Sequence, residues 1–233
     1  MPLRKTTPVS QAIVTRAQKL GATAAGLVPV AALRQSPSHR AAGSLQWPPE
    51  ARTVLVMALV HPADDPELDW WDGRPGGTPG NRRLLTIERK LAKWIRRRLG
   101  CRLWPLPYSI EKGGKFLKDA AMLAGLGVIG RNNLLVSPKY GPRLRLRAML
   151  LGIDLGQGRF LKFDPCRGCP APCHQACPQD AFRSGRYHRP FCLRQMARDE
   201  AAANRMIDLG VMMVRDRRVR YCRACELACP VAQ

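Results

Sequence analysis

No run of apolar residues in this chain approaches the roughly 18 that a membrane-spanning helix needs, so no span is expected. Nor is the basic start, Met1-Pro2-Leu3-Arg4-Lys5-Thr6-Thr7-Pro8, followed by an uninterrupted apolar stretch. That leaves no secretory signal to expect and points to the cytoplasm. Aromatic residues are scarce at 6%, which offers few stacking platforms to a protein whose work is to hold unpaired RNA bases. Acids are scarce too: 17 Asp and Glu face 39 Lys and Arg, a net charge of +22. The excess is uneven. Arg82 to Arg147 holds seventeen bases against Glu88, Glu111 and Asp119, a net +14, whereas Asp64 to Asp72 is locally acidic. Such a field favours polyanions or acidic protein partners, and a solvated arginine-rich surface gives the same count.

Hydrophobic residues still make up 45% of the 233, enough for a core. The length allows one large domain, or one of about 150 residues with a small appendage. Ser10 to Leu20 reads as a helix, with Ser10 as its cap, Ile13, Val14, Ala17 and Leu20 on one face, and Gly21 as its stop. Val54 to Val60 is a continuous apolar run rich in valine, the mark of a buried strand, closed by His61-Pro62. The glycines and prolines of Gly73 to Gly80 forbid regular structure, and Trp70 and Trp71 beside them are expected to pack that loop. A long helix over Asn81 to Leu99 carries the stripe Leu84, Ile87, Leu91, Trp94 and Ile95, with Gly100 ending it. A helix over Lys115 to Leu123 and a strand over Leu144 to Leu151 complete an α+β domain spanning residues 1–155. A small loop-rich metal domain is expected over 156–233.

Nine cysteines decide the chemistry. In a reducing compartment this density argues for metal rather than disulfides. Cys101 stands alone and reads as a small buried hydrophobe. The other eight form two motifs, Cys166-x2-Cys169-x3-Cys173-x3-Cys177-Pro178 and Cys222-x2-Cys225-x3-Cys229-Pro230, with Cys192 between them. Closely spaced thiolates wrap three corners of an iron–sulfur cube, and in two-cluster ferredoxins the cysteine before proline crosses to the other cube. On that pattern Cys166, Cys169, Cys173 and Cys229 hold one [4Fe–4S] cluster, and Cys177, Cys192, Cys222 and Cys225 hold the other. Two Cys-x-x-Cys pairs are also what a zinc ribbon uses, but the paired Cys-x3-Cys-Pro endings and the total of eight favour clusters. The first motif has three residues between Cys169 and Cys173 where the bacterial ferredoxin run has two. His174 reads as a solvated loop histidine and His188 as structural.

The stretch Lys118 to Leu135, which contains Ala124-Gly125-Leu126-Gly127-Val128-Ile129-Gly130-Arg131-Asn132-Asn133, resembles the epoxyqueuosine reductase family when read with those cysteines. Pro48 to Val54 looks like that family's entry into its first strand. The resemblance implies a cobalamin-binding reductase domain joined to a ferredoxin-like domain, with electrons passing from two [4Fe–4S] clusters to the corrinoid. It implies a modified tRNA nucleoside as substrate, an electron donor such as a ferredoxin or flavodoxin, and kinship with reductive dehalogenases. Gly125, Gly127, Gly130, Arg131, Asn132 and Asn133 are the candidate cofactor-binding residues, for cobalamin or alternatively a flavin. Glycines in such a loop equally serve a plain helix-to-strand turn. Where the family has an Asp-x-x-Pro proton donor, this chain has Glu111-Lys112-Gly113-Gly114, so Glu111 is the candidate catalytic acid or a partner of nearby lysines. A non-catalytic electron carrier or corrinoid activator is the competing reading, and an RNA-binding protein with structural clusters a further one. The basic run Arg143-Leu144-Arg145-Leu146-Arg147 can meet a corrinoid side chain, a phosphate or only water.

Overall fold

The computed structural model describes residues 8–42, 47–106, 114–156 and 158–232. They form two compact units interleaved along the chain: residues 1–60, 84–129 and 144–163 in the first, and residues 61–83, 130–143 and 164–233 in the second. The sequence reading instead places one boundary at 155/156. The unit carrying the eight cysteines thus also takes two earlier segments.

The first unit is built on a four-stranded antiparallel sheet in the order β1 (Ala24–Pro29), β2 (Thr53–Val60), β6 (Leu144–Leu151) and β3 (Leu103–Leu106). Thr53 lies opposite Leu151 and Val60 opposite Leu144 in the central pair. Both faces of that pair are covered, which is why β2 reads as an unbroken apolar run. Leu55, Met57, Met149 and Leu151 join a core with Ile13 and Ala17 of α1 (Pro8–Lys19) and Leu84, Ile87, Leu91 and Ile95 of α4 (Pro79–Leu99). By strand alternation the intervening residues face the other way, where α5 (Leu117–Leu123) packs on β2 and β6 and buries Ala120 and Ala121. Every helix and strand expected from periodicity in this unit forms, within three residues of its expected ends. Ser10 corrects one detail: it lies inside α1, and its hydroxyl donates to Leu155 O at 3.1 Å instead of capping the helix.

Strand β1 and the short helices α2 (Val30–Arg34) and α3 (Pro37–Ala42) went unanticipated. The β1 sequence Ala-Ala-Gly-Leu-Val-Pro has weak strand propensity, and its place at a sheet edge asks for little. Its glycine has a reason. A Cβ at Gly26 would sit 2.9 Å from Ala124 Cβ and 3.0 Å from Ala124 O, so only glycine lets the strand approach the end of α5.

The second unit holds β5 (Leu135–Val136), α6 (Pro172–Gln175), α7 (Arg189–Asp208) and α8 (Ala224–Leu227); β4 (Val128–Ile129) belongs to the first. The 20-residue α7 within the expected loop-rich metal domain was not anticipated. Only Ala203 of this helix is buried, so it lacks the apolar stripe that betrays a helix in sequence. Short helices α6 and α8, one in each cysteine motif, pack together. Trp71 and Val219 exchange backbone hydrogen bonds at 2.9 Å, and Arg220 lies over the Trp70 ring at 4.2 Å, so the paired tryptophans serve packing.

Candidate metal centre

The cysteines of the second unit are all free thiols. Their electrostatic neighbourhoods sort them. Burial first, and then Cys229, Cys166 and Cys169, push the Cys173 thiol up; Cys229 is pushed up by burial and again by Cys166 and Cys169. Burial and then Cys222, Cys192 and Cys177 push Cys225 up to about 12, and Cys222 feels Cys177 and Cys192 in the same way. Two groups of four emerge: Cys166, Cys169, Cys173 and Cys229, and Cys177, Cys192, Cys222 and Cys225. A cavity is lined by the whole first group together with Arg131, Asn132 and Val136.

Among the described residues no three Cys, His, Asp or Glu side chains converge as a single metal ion requires. Backbone donors are aimed at the sulfurs: Arg131 N–H at Cys166 Sγ (3.4 Å), Ala181 N–H at Cys177 Sγ (3.3 Å) and Ala224 N–H at Cys222 Sγ (3.5 Å). The Tyr187 hydroxyl hydrogen-bonds the Cys192 thiol, and its own pKa is raised, by burial first and by that contact second. Such N–H···S and O–H···S bonds are what stabilise anionic cluster sulfurs.

Around this centre the chain is tied by residues the sequence did not single out. Arg223, between Cys222 and Cys225, pairs with Asp69 at 2.9 Å and with Glu226, and donates to His61 O at 3.0 Å. The fully buried His61 ring meets Asp69 Oδ1 at 2.8 Å. Asp199 of α7 accepts the Cys222 backbone N–H at 2.8 Å. Nothing in sequence distinguishes Arg223 from 38 other basic residues, or Asp199 from other acids of an exposed helix. His174 corrects an expectation. Instead of standing in solvent it stacks on Phe182, centroids 4.5 Å apart and planes within 3°, and its Nε2 lies 3.2 Å from Arg131 O.

The six residues expected to bind a cofactor are divided between the units. Gly125 ends α5 at φ +77°, and a Cβ there would meet the Arg159 backbone at 2.9 Å. Gly127 belongs to the first unit, between α5 and β4. A Cβ at Gly130 would meet Val136 at 2.8 Å and Asn132 Oδ1 at 3.0 Å, with Cys166 Sγ at 3.6 Å. The Arg131 guanidinium donates to Cys169 O at 3.2 Å, and the buried Asn132 donates to Cys225 O at 3.3 Å. Asn133 turns the chain at φ 58°. Arg131 and Asn132 therefore clasp the two cysteine motifs. Glu111 lies outside the described residues. Arg147 is buried against Glu88, Nε to Oε2 2.8 Å, so this member of the basic run is not free for a phosphate. Cys101 packs half-buried against the first unit's core.

No known family model matches the chain. Over 65 residues it is 41% identical to the tetrachloroethene reductive dehalogenases of Desulfitobacterium hafniense and Dehalobacter restrictus. That stretch is 27% of this chain and 12% of theirs, so the chain spans a small part of those relatives. An epoxyqueuosine reductase from Streptococcus thermophilus superposes with a TM-score of 0.64 and 17% identity, covering 97% of this chain and 66% of that one. One from Bacillus subtilis gives 0.66 and 16%, covering 98% and 66%. A reductive dehalogenase structure gives 0.55 and 19%, covering 77% and 26%. The chain has the fold of the epoxyqueuosine reductases, in a length about two thirds of theirs, and shares it in part with the reductive dehalogenases.

Proposed function

We propose that this chain is an iron–sulfur oxidoreductase of the epoxyqueuosine reductase type, carrying two [4Fe–4S] clusters on its eight grouped cysteines. The observation that carries the reading is the cavity lined by Cys166, Cys169, Cys173 and Cys229, four thiols drawn from both cysteine motifs. The fold likeness supports it independently. Cys166, Cys169, Cys173 and Cys229 are the proposed ligands of one cluster, and Cys177, Cys192, Cys222 and Cys225 of the other. The clusters supply one-electron chemistry when bound. The chain's own part is to hold the thiolates, donate hydrogen bonds to their sulfurs and anchor both motifs through Arg131, Asn132 and Arg223. An acidic ferredoxin or flavodoxin is the proposed electron donor to a chain of net charge +22.

The final acceptor divides two readings. The fold relatives include a reductase solved with a tRNA stem loop and a dehalogenase described as B12-dependent. By that likeness a corrinoid in the reductase-like unit, a tRNA-borne substrate and Glu111 as proton donor are proposed. The second reading is an electron carrier or corrinoid activator without a cofactor of its own, and it is favoured by the engagement of Gly125, Gly130, Arg131 and Asn132 in the fold. Anaerobic purification with iron and sulfide analysis, and a visible spectrum before and after adding cobalamin, tests both. About eight irons and eight sulfides per chain are expected. A cobalamin spectrum that shifts on binding supports the reductase; the same iron with no shift supports the carrier. Zinc in place of iron refutes both.

A further inference from the structure

Residues 183–198 of the second unit carry five arginines and no Asp or Glu, and Cys192 stands in their midst. Arg183 and Arg186 lie on the loop before α7, and Arg194 and Arg198 lie about one turn apart on the helix. All four are exposed, and among the described residues none of them pairs with an acid. The acids that follow on α7 are already engaged: Asp199 with the Cys222 N–H and Gln195, and Glu200 with Arg217. The face therefore keeps its positive charge.

Two of these arginines are held in place. The Arg183 and Arg194 guanidiniums lie 4.2 and 4.6 Å from the centroid of the Phe191 ring, next in sequence to Cys192. Cation–π contact of this kind orders the side chains before a partner arrives, which lowers the cost of binding. Leu193 beside them is 40% exposed, an apolar centre within a charged rim. The thiols of this group are also the more accessible ones. Cys222 is exposed and Cys177, Cys192 and Cys225 are half-buried, whereas Cys173 and Cys229 of the other group are buried.

We propose that this arginine face is the docking surface for an acidic one-electron donor protein, which delivers its electron at the Cys177, Cys192, Cys222 and Cys225 group. The surface rests on the iron–sulfur reading and adds to it where the donor sits and which four thiols it meets. In each encounter one electron leaves the reduced donor and is gained by the group those thiols hold, with no bond made and no proton moved. Complementary charge speeds such an encounter and sets its register, and redox encounters bury small interfaces that one arginine-rimmed patch can supply. An RNA strand needs open aromatic faces for its bases to stack on, and the Phe191 ring is already occupied by two guanidiniums.

Isothermal titration of the full chain, purified anaerobically, with an acidic bacterial ferredoxin provides the test. Arg194→Glu/Arg198→Glu is expected to weaken binding about tenfold at low ionic strength, a difference that shrinks as salt rises. Reduction by the ferredoxin slows in step, while iron content, thermal unfolding and reduction by dithionite, which needs no docking, are unchanged. Lys90→Glu/Lys93→Glu makes the same change of charge at exposed positions of α4 in the first unit and leaves the affinity within about twofold. Arg183→Glu/Arg186→Glu reads the same face from the loop and serves if the α7 variant does not fold. Absence of ferredoxin binding, equal weakening by the α4 and arginine variants, or affinity unaffected by both arginine variants overturns the docking surface and leaves the clusters standing. Loss of tRNA binding in the arginine variants with ferredoxin binding kept gives the face to RNA and overturns it as well. A chain without iron refutes the iron–sulfur reading itself, and this surface with it.

Discussion

Arg147 shows how much a single buried side chain can be committed to one partner. Replacing it with methionine strands the Glu88 carboxylate inside the first unit. Removing one member of a buried pair costs about 3–5 kcal/mol, whereas replacing both by apolar residues is often close to neutral. Urea unfolding is therefore expected to show Arg147→Met strongly destabilised and Glu88→Leu/Arg147→Met largely restored. Asp72 behaves oppositely. Paired through both carboxylate oxygens with Arg82, at 2.8 and 2.7 Å, it is held at about 2 against an ordinary 3.8. A carboxyl depressed in the folded state stabilises above its unfolded value, and that contribution drains away as pH falls from about 4 through 2. Solvent at the partly exposed Arg82 limits it to about 1 kcal/mol. Asp72→Asn should flatten that part of the stability–pH curve. Tyr187→Phe removes a hydrogen bond to Cys192, and a redox titration followed by electron paramagnetic resonance should place one of the two clusters at a lower potential. At this scale the cysteines were legible because their pattern is local in sequence. Arg223, Asp69 and Asp199 were not, since each earns its role from a partner far along the chain.

Individual elements record a second kind of constraint, the space between backbones. The glycines at 26 and 125 admit neighbours at 2.9 Å that a methyl group would strike. Gly26→Ala is expected to cost about 1–3 kcal/mol by overpacking, read as a lower denaturation midpoint. In the first cysteine motif the extra residue between Cys169 and Cys173 leaves Ala171 in left-handed backbone, φ 56° and ψ 52°, just before α6. Alanine tolerates that region poorly, and Ala171→Gly should stabilise the apoprotein by up to about 1 kcal/mol. Periodicity revealed α1, α4, α5, β2 and β6 because each buries an apolar face. Helix α7 stayed hidden because it buries only Ala203 and so shows no apolar stripe, and β1 because small residues were chosen for close approach rather than strand propensity. The glycine-rich stretch was visible as a motif, but sequence left its purpose open. The structure assigns Gly125 to a turn and Gly130 to a close passage beside Cys166.

Across the whole molecule, the two units are each assembled from three separated segments, a grouping that no local pattern announces. Substituting a cysteine of one group, as in Cys173→Ser, should lower bound iron to roughly half while the other cluster's spectrum persists, in keeping with two separate four-thiol sets. Loss of all iron from that variant would instead mean that the two sets load as one. The composition of each four carries a further consequence for how the protein is made. Cys229 completes the group begun by Cys166, Cys169 and Cys173, and Cys222 and Cys225 complete the one begun by Cys177 and Cys192. A nascent chain stalled before Cys222 already carries five of the eight thiols, yet has finished neither set. On the proposed ligand sets, metal delivery to either cluster would wait until Cys222, Cys225 and Cys229 emerge from the ribosome, and a product terminated before Cys222 would carry neither cluster.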